Sequence, residues 1–139
     1  VLEEQIEHHG RPVVVYTTIR FHRRSRDDVL RRFDATPVRR AADLPQGVET
    51  IRIPRSGETM VWLPGPRALI PGDRLLGDDR GGVRLCPASW LRYLTPGISH
   101  DELREALRPL LDLPVEMVLV SHGEPVLSDA SAALQRALG

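Results

Sequence analysis

Residues 58–73, "ETMVWLPGPRALIPGD", constrain the fold more than any other stretch of this chain. An apolar run meets Pro64, Gly65 and Pro66, and a second apolar run follows as far as Pro71, Gly72 and Asp73. Prolines at this density rule out a continuous helix, because each lacks a backbone donor and its ring clashes with the preceding turn. Two strands joined by a tight turn satisfy the pattern. Just before them, "VETIRI" (48–53) alternates apolar and polar residues and reads as a half-buried strand.

The flanking sequence alternates between strand and helix signals. Residues 2–9 read as a short helix stopped by Gly10, with Pro12 beyond. "PVVVYT" (12–17) is a continuous β-branched run, the composition of a buried strand. Ser25 is placed to cap a helix over 26–33, and "TPVRR" reads as another brief strand. "GDDRGG" (77–82) reads as a flexible loop, and "PASWLRYL" as a short helix opened by Pro87.

The clearest helix is "SHDELREALRPLLDL" (99–113). Ser99 and Glu102 have capping-box spacing, Leu103, Leu107, Leu110 and Leu111 share a face, and Pro109 should bend the helix or mark its last turn. "VEMVLVS" (115–121) is a further strand, and Ser128 is placed to cap a final helix to 138. Strands interleaved with amphipathic helices give an α/β class. At 139 residues, 1–139 has room for a single domain.

The composition, 41% apolar and 27% charged, is that of a globular chain, and no apolar run approaches a membrane span. The acidic start carries no secretory signal, so a cytoplasmic location without a membrane partner is expected. The single cysteine, Cys86, excludes an internal disulfide and a multi-cysteine zinc site, and its apolar setting suits packing. All 19 basic residues are arginine, a bias that points to a GC-rich bacterial genome before it points to function. Nineteen acidic residues balance them, so the net charge gives no reason to expect a nucleic-acid partner.

Three strand ends carry reactive side chains: "VVVYTT" leads to His22, "RALIPGD" to Asp73, and "EMVLVSHG" to His122. Ligand sites of open α/β sheets gather beyond such ends. If the three are neighbours, two imidazoles and a carboxylate make a donor set for zinc or iron. The competing reading is ordinary turn chemistry, since Gly-Asp and His-Gly are both common in loops.

These strand ends resemble the metallo-β-lactamase superfamily. "MVWLPGPRALIPGD" is similar to that family's strand, turn and strand ending in a metal-bridging Gly-Asp, and "EMVLVSHGEPV" to its last strand, whose histidine before glycine ligates the second metal. The resemblance implies an αββα sandwich and aligns Asp73 and His122 with metal-ligand positions.

The motif after the first strand departs from the family. There the family has Thr, then His-x-His-x-Asp-His; aligned on Thr17, this chain has Thr18, Arg20, His22 and Arg23. The segment that would hold a Gly-His reads "IPRSGETM". A binuclear centre holds two cations about 3.5–4 Å apart among several neutral or anionic ligands. Arginines at donor positions work against it. The expectation is a largely dismantled site with no cofactor, the alternative being a single zinc, iron or manganese ion on His22, Asp73 and His122.

Arg20, Arg23 and Arg24 are candidates for an anion pocket, extended by Arg26, Arg31, Arg32, Arg39 and Arg40 towards RNA or a phosphate ligand. The plainer alternative pairs them with Asp27, Asp28, Asp34 and Asp43 on a solvated face. His8, His9 and His100 read as surface residues, and Trp62, Trp90 and Tyr93 as core or interface anchors. Ser121 lacks a nucleophile elbow, which argues against a serine hydrolase.

Family members begin with a strand-rich sheet that has no counterpart before residue 2. The inner sheet face, with Val14, Tyr16 and Val61, is therefore expected to be covered by a second copy in a homodimer or by an N-terminal segment outside this sequence. The functional expectation is non-catalytic binding of a small anionic ligand or a protein partner. The alternative is a single-metal hydrolase of an ester, thioester or phosphodiester.

Overall fold

The computed structural model describes residues 2–23 and 26–139, and the side chains of 3–21 and 26–139. Arg24 and Ser25, the expected helix cap, lie outside the described residues. In chain order the first elements are α1 (Leu2–His9), β1 (Val14–Tyr16), a 3-10 turn at Arg20–Arg23, α2 (Arg26–Arg32) and β2 (Thr36–Val38). The central block holds β3 (Glu49–Ile53), β4 (Glu58–Leu63), β5 (Ala68–Ile70), β6 (Leu75–Gly77) and β7 (Val83–Leu85). Then come α3 (Ala88–Leu91), α4 (His100–Leu107), a 3-10 turn at Arg108–Asp112, β8 (Met117–Val118) and α5 (Ala130–Leu138).

The proline-rich block folds as its sequence dictates. β4 and β5 pair antiparallel with Val61 opposite Ile70, and β3 pairs antiparallel on the other side of β4, Ile51 opposite Met60. β8 adds parallel to β5, so the four-stranded sheet runs β3-β4-β5-β8 and is mixed. With its helices it makes an α/β domain. Met60, Leu69, Leu103, Leu107, Leu110, Val118 and Leu134 form the core, where α5 meets α4, β7 and β8.

α4 begins with the expected capping box. The Ser99 hydroxyl accepts from the Glu102 N–H at 3.2 Å, and the Glu102 carboxylate accepts from the Ser99 N–H at 2.8 Å. The helix tightens into 3-10 geometry where Pro109 removes a donor.

Four readings are corrected. β1 is not a buried strand: it pairs only with β2, in a separate parallel sheet, and Val14 stays 40% exposed. Val14 and Tyr16 thus do not share a sheet with Val61, which the chain itself buries. "GDDRGG" is an ordered hairpin turn between β6 and β7, because the Asp78 carboxylate accepts from the N–H groups of Arg80 and Gly82 at 2.8 and 2.7 Å. Asp129, not Ser128, holds the N-cap position of α5, in a left-handed conformation and without a side-chain cap bond. His100 is half-buried rather than at the surface, with its ring Nε2 2.6 Å from the Cys86 carbonyl.

Trp62 and Cys86 are core residues as read, and burial pushes the Cys86 thiol pKa up. Tyr93 is exposed and Trp90 half-buried. Among the described residues no helix is long and apolar enough to cross a membrane.

Candidate functional site

The site grows from the point where β4 begins. The Thr18 carbonyl accepts the Thr59 N–H at 2.9 Å, and Ile19 bridges Glu58, which brings the end of the first strand beside the head of β4. Glu58 is only 2% exposed, and its carboxylate crosses to the loop after β5. There it accepts the N–H groups of Gly72, Asp73 and Arg74 at 2.9, 2.7 and 3.0 Å. Burial pushes the Glu58 pKa up, against the downward pull of the three N–H donors and of Arg74. A Cβ at Gly72 would come within 2.9 Å of the Glu58 carboxylate and 3.0 Å of the Thr18 hydroxyl, so a larger residue there has to displace the clamp.

This clamp presents Asp73 to the third strand end. Oδ1 of Asp73 lies 3.4 Å from Nε2 of His122. The His122 backbone is fixed in turn, since its carbonyl accepts the Gly77 N–H at 2.9 Å. A Cβ at Gly123 would run into the Gly77 backbone and one at Gly77 into the Glu124 backbone, so neither position has room for a side chain. The Trp90 ring packs edge-on to the His122 ring with centroids 5.5 Å apart.

Around the pair lies a cleft of about 400 Å³ lined by Phe21, Asp73, Arg74, Trp90, Tyr93 and His122. Phe21 and Tyr93 meet edge-on at 6.5 Å, and each carries a guanidinium on its face: Arg20 at 4.8 Å and Arg92 at 4.7 Å. Arg74 is 1% exposed. Its Nε donates to the Ser56 carbonyl at 2.8 Å and its Nη1 faces the Cys86 sulfur at 3.8 Å. Its Nη2 is buried with no hydrogen-bond partner among the described residues.

Of the three expected metal ligands, Asp73 and His122 are brought together. His22 belongs to the 3-10 turn that carries Phe21 to the cleft, but its side chain lies outside the described residues. Among the described residues no group of three metal-ligating side chains forms, and a buried arginine stands beside the two that meet.

Of the candidate anion residues, Arg20 donates to the Tyr93 carbonyl at 3.2 Å. The Arg23 side chain and all of Arg24 lie outside the described residues. Further along, Arg26, Arg31, Arg32 and Arg40 pair with Asp27, Asp28, Glu3 and Asp43. Glu58 and Arg74 escaped the sequence reading. A glutamate heading a strand and an arginine after Gly-Asp both look solvated, and their partners lie 14 to 18 residues away.

No family model matches the chain, and no curated protein matches it. Solved structures do. TTHA1623 in a di-iron-bound form is 20% identical with a TM-score of 0.49, over 99% of this chain and 68% of that one. The metallo-β-lactamase family protein TTHA1429 from Thermus thermophilus is 17% identical with a TM-score of 0.46, over 97% and 54%. A metallo-β-lactamase from Pontibacter korlensis is 15% identical with a TM-score of 0.47, over 96% and 59%. The chain therefore spans between about half and two thirds of the length of these structures. Two of the three solved structures to which the chain is similar are described as metallo-β-lactamases or members of that family.

Proposed function

We propose that this metallo-β-lactamase-like domain uses the cleft at its strand ends for non-catalytic binding of a small anion with an aromatic or apolar body. The observation that carries the reading is Arg74, buried under the cleft with an unmatched Nη2 beneath aromatic walls. A buried guanidinium with an unmet donor gains from an anion nearby, and ring faces receive a flat apolar body. Arg20 and Arg92 at the rim add positive charge on the approach.

The competing reading is a single-metal hydrolase on His22, Asp73 and His122, favoured by the 3.4 Å approach of two of its ligands. One experiment separates the two. Elemental mass spectrometry is run on untagged protein, followed by titration with anilinonaphthalene sulfonate, an aromatic anion, read by tryptophan quenching. Little bound metal and saturable quenching that Trp90→Phe removes support the binding module. Near-stoichiometric zinc, iron or manganese that Asp73→Ala and His122→Ala both discharge overturns it in favour of the hydrolase.

A further inference from the structure

A second cleft, of about 710 Å³, has Glu58 in its lining together with Arg20, Arg52, Arg55, Leu94 and Pro96. The lining residues of the two clefts are distinct, and Arg20, which lines this one, also stacks on Phe21 of the aromatic cleft. We propose that this cleft is a binding site for an organic diphosphate.

Charge comes first. Three arginines line one concavity, and the acidic residue in its lining, Glu58, has both carboxylate oxygens bonded to the 72–74 backbone. Arg55 is offset by Glu102 at 2.8 Å, and Arg20 spends one donor on the Tyr93 carbonyl. Arg52 projects from β3, exposed, with no ion pair or hydrogen-bond partner among the described residues. The lining therefore keeps an excess of positive charge and unused donors.

Backbone geometry is the second observation. Arg55 sits at φ +60°, a left-handed conformation that a non-glycine residue keeps only where the surroundings impose it. Its bonds to Glu102 and to the Gly97 carbonyl hold the side chain in one place, so the guanidinium is set before a ligand arrives. A preorganised cation loses less on binding than a mobile one.

Size and lining choose the ligand. The volume lies within the range of small-molecule pockets and exceeds what a lone phosphate fills. Several planar forks match the paired oxygens of two linked phosphates, and the side chains of Leu94 and Pro96 offer an apolar surface to the organic remainder. The anion approaches a wall that supplies N–H donors and positive charge, and binding requires no covalent step.

The site goes beyond the aromatic cleft and holds whether or not that cleft binds anything. The test is calorimetric titration of the whole chain with inorganic pyrophosphate at low salt, in the wild type, Arg52→Ala, Arg52→Glu and Arg84→Ala. Arg84 lies exposed on β7, outside both clefts, and serves as a charge control. The expected result is saturable binding weakened roughly tenfold by Arg52→Ala, abolished by Arg52→Glu and unaffected by Arg84→Ala. Absence of saturation at millimolar pyrophosphate overturns the site. So does equal weakening by Arg84→Ala, which would reduce the effect to the general field of the arginines.

Discussion

The carboxylate of Glu58 accepts the backbone N–H of Asp73 at 2.7 Å, so the residue that opens β4 sets the place of the acid that follows β5. Two further bonds, from Gly72 and Arg74, make the clamp tridentate. Glu58→Gln keeps one acceptor oxygen and turns an amide towards at least one of these donors. The expected loss is about 1–3 kcal/mol in urea unfolding, the usual effect of stranding a buried donor. The Asp73–His122 approach, 3.4 Å in the wild type, should loosen as well, seen as altered His122 ring chemical shifts by NMR at fixed pH.

Glu58 also gives stability a pH dependence. Its folded pKa is raised above the ordinary 4.5, chiefly by burial. Folding is therefore favoured by protonation: the contribution is full below 4.5 and is lost as pH rises through the folded value. Glu102 acts in the opposite sense. Its folded pKa falls to about 2 because its carboxylate accepts the Ser99 N–H and pairs with Arg55. That contribution is present above 4.5 and disappears as pH falls towards about 2. Urea unfolding across this acid window should be less pH-dependent in Glu102→Gln than in the wild type, and an unchanged slope would refute the assignment.

Gly81 and Gly123 separate conformational strain from contact. Both have positive φ, +74° and +84°. A Cβ at Gly81 meets nothing within 4 Å, whereas one at Gly123 runs into the Gly77 backbone. Gly81→Ala should cost about 1 kcal/mol, and Gly123→Ala at least about 2 kcal/mol more, in thermal or urea melts. Equal costs would mean that the β6 end does not hold the His122 loop.

Leu107 and Leu127 make the corresponding test of the core. Leu107 is fully buried and Leu127 is 66% exposed. Leu107→Ala should lose about 2–5 kcal/mol and Leu127→Ala stay within about 0.5 kcal/mol of wild type, measured by urea unfolding.

What the sequence made legible was local. The β4–β5 pair is announced by its prolines, and α4 by a capping box whose partners stand three residues apart. The convergence of Asp73 with His122 was readable as a possibility, because both follow apolar runs that end in turn residues. Legibility failed where a long-range bond reverses a local preference. Glu58 reads as a solvated strand residue until the loop 14 to 16 residues later surrounds it with donors. The β6–β7 hairpin hid for a different reason: its strands are three residues each, and one aspartate side chain orders a turn that composition alone marks as loose. Val14 failed in the opposite direction, because a β-branched run fixes strand preference but not the number of neighbouring strands.

The parallel seam between β5 and β8 has a temporal meaning. The β3-β4-β5 meander closes through near neighbours in sequence, whereas the Ser121 hydroxyl reaches the Pro71 carbonyl across 50 residues. Contacts that span so much chain form late, because the loop must be drawn in before they give any return. On a ribosome, a nascent chain stopped before β8 would lack the His122 imidazole that faces Asp73. Assembly of the cleft is thus a report that the C-terminal quarter has arrived and docked.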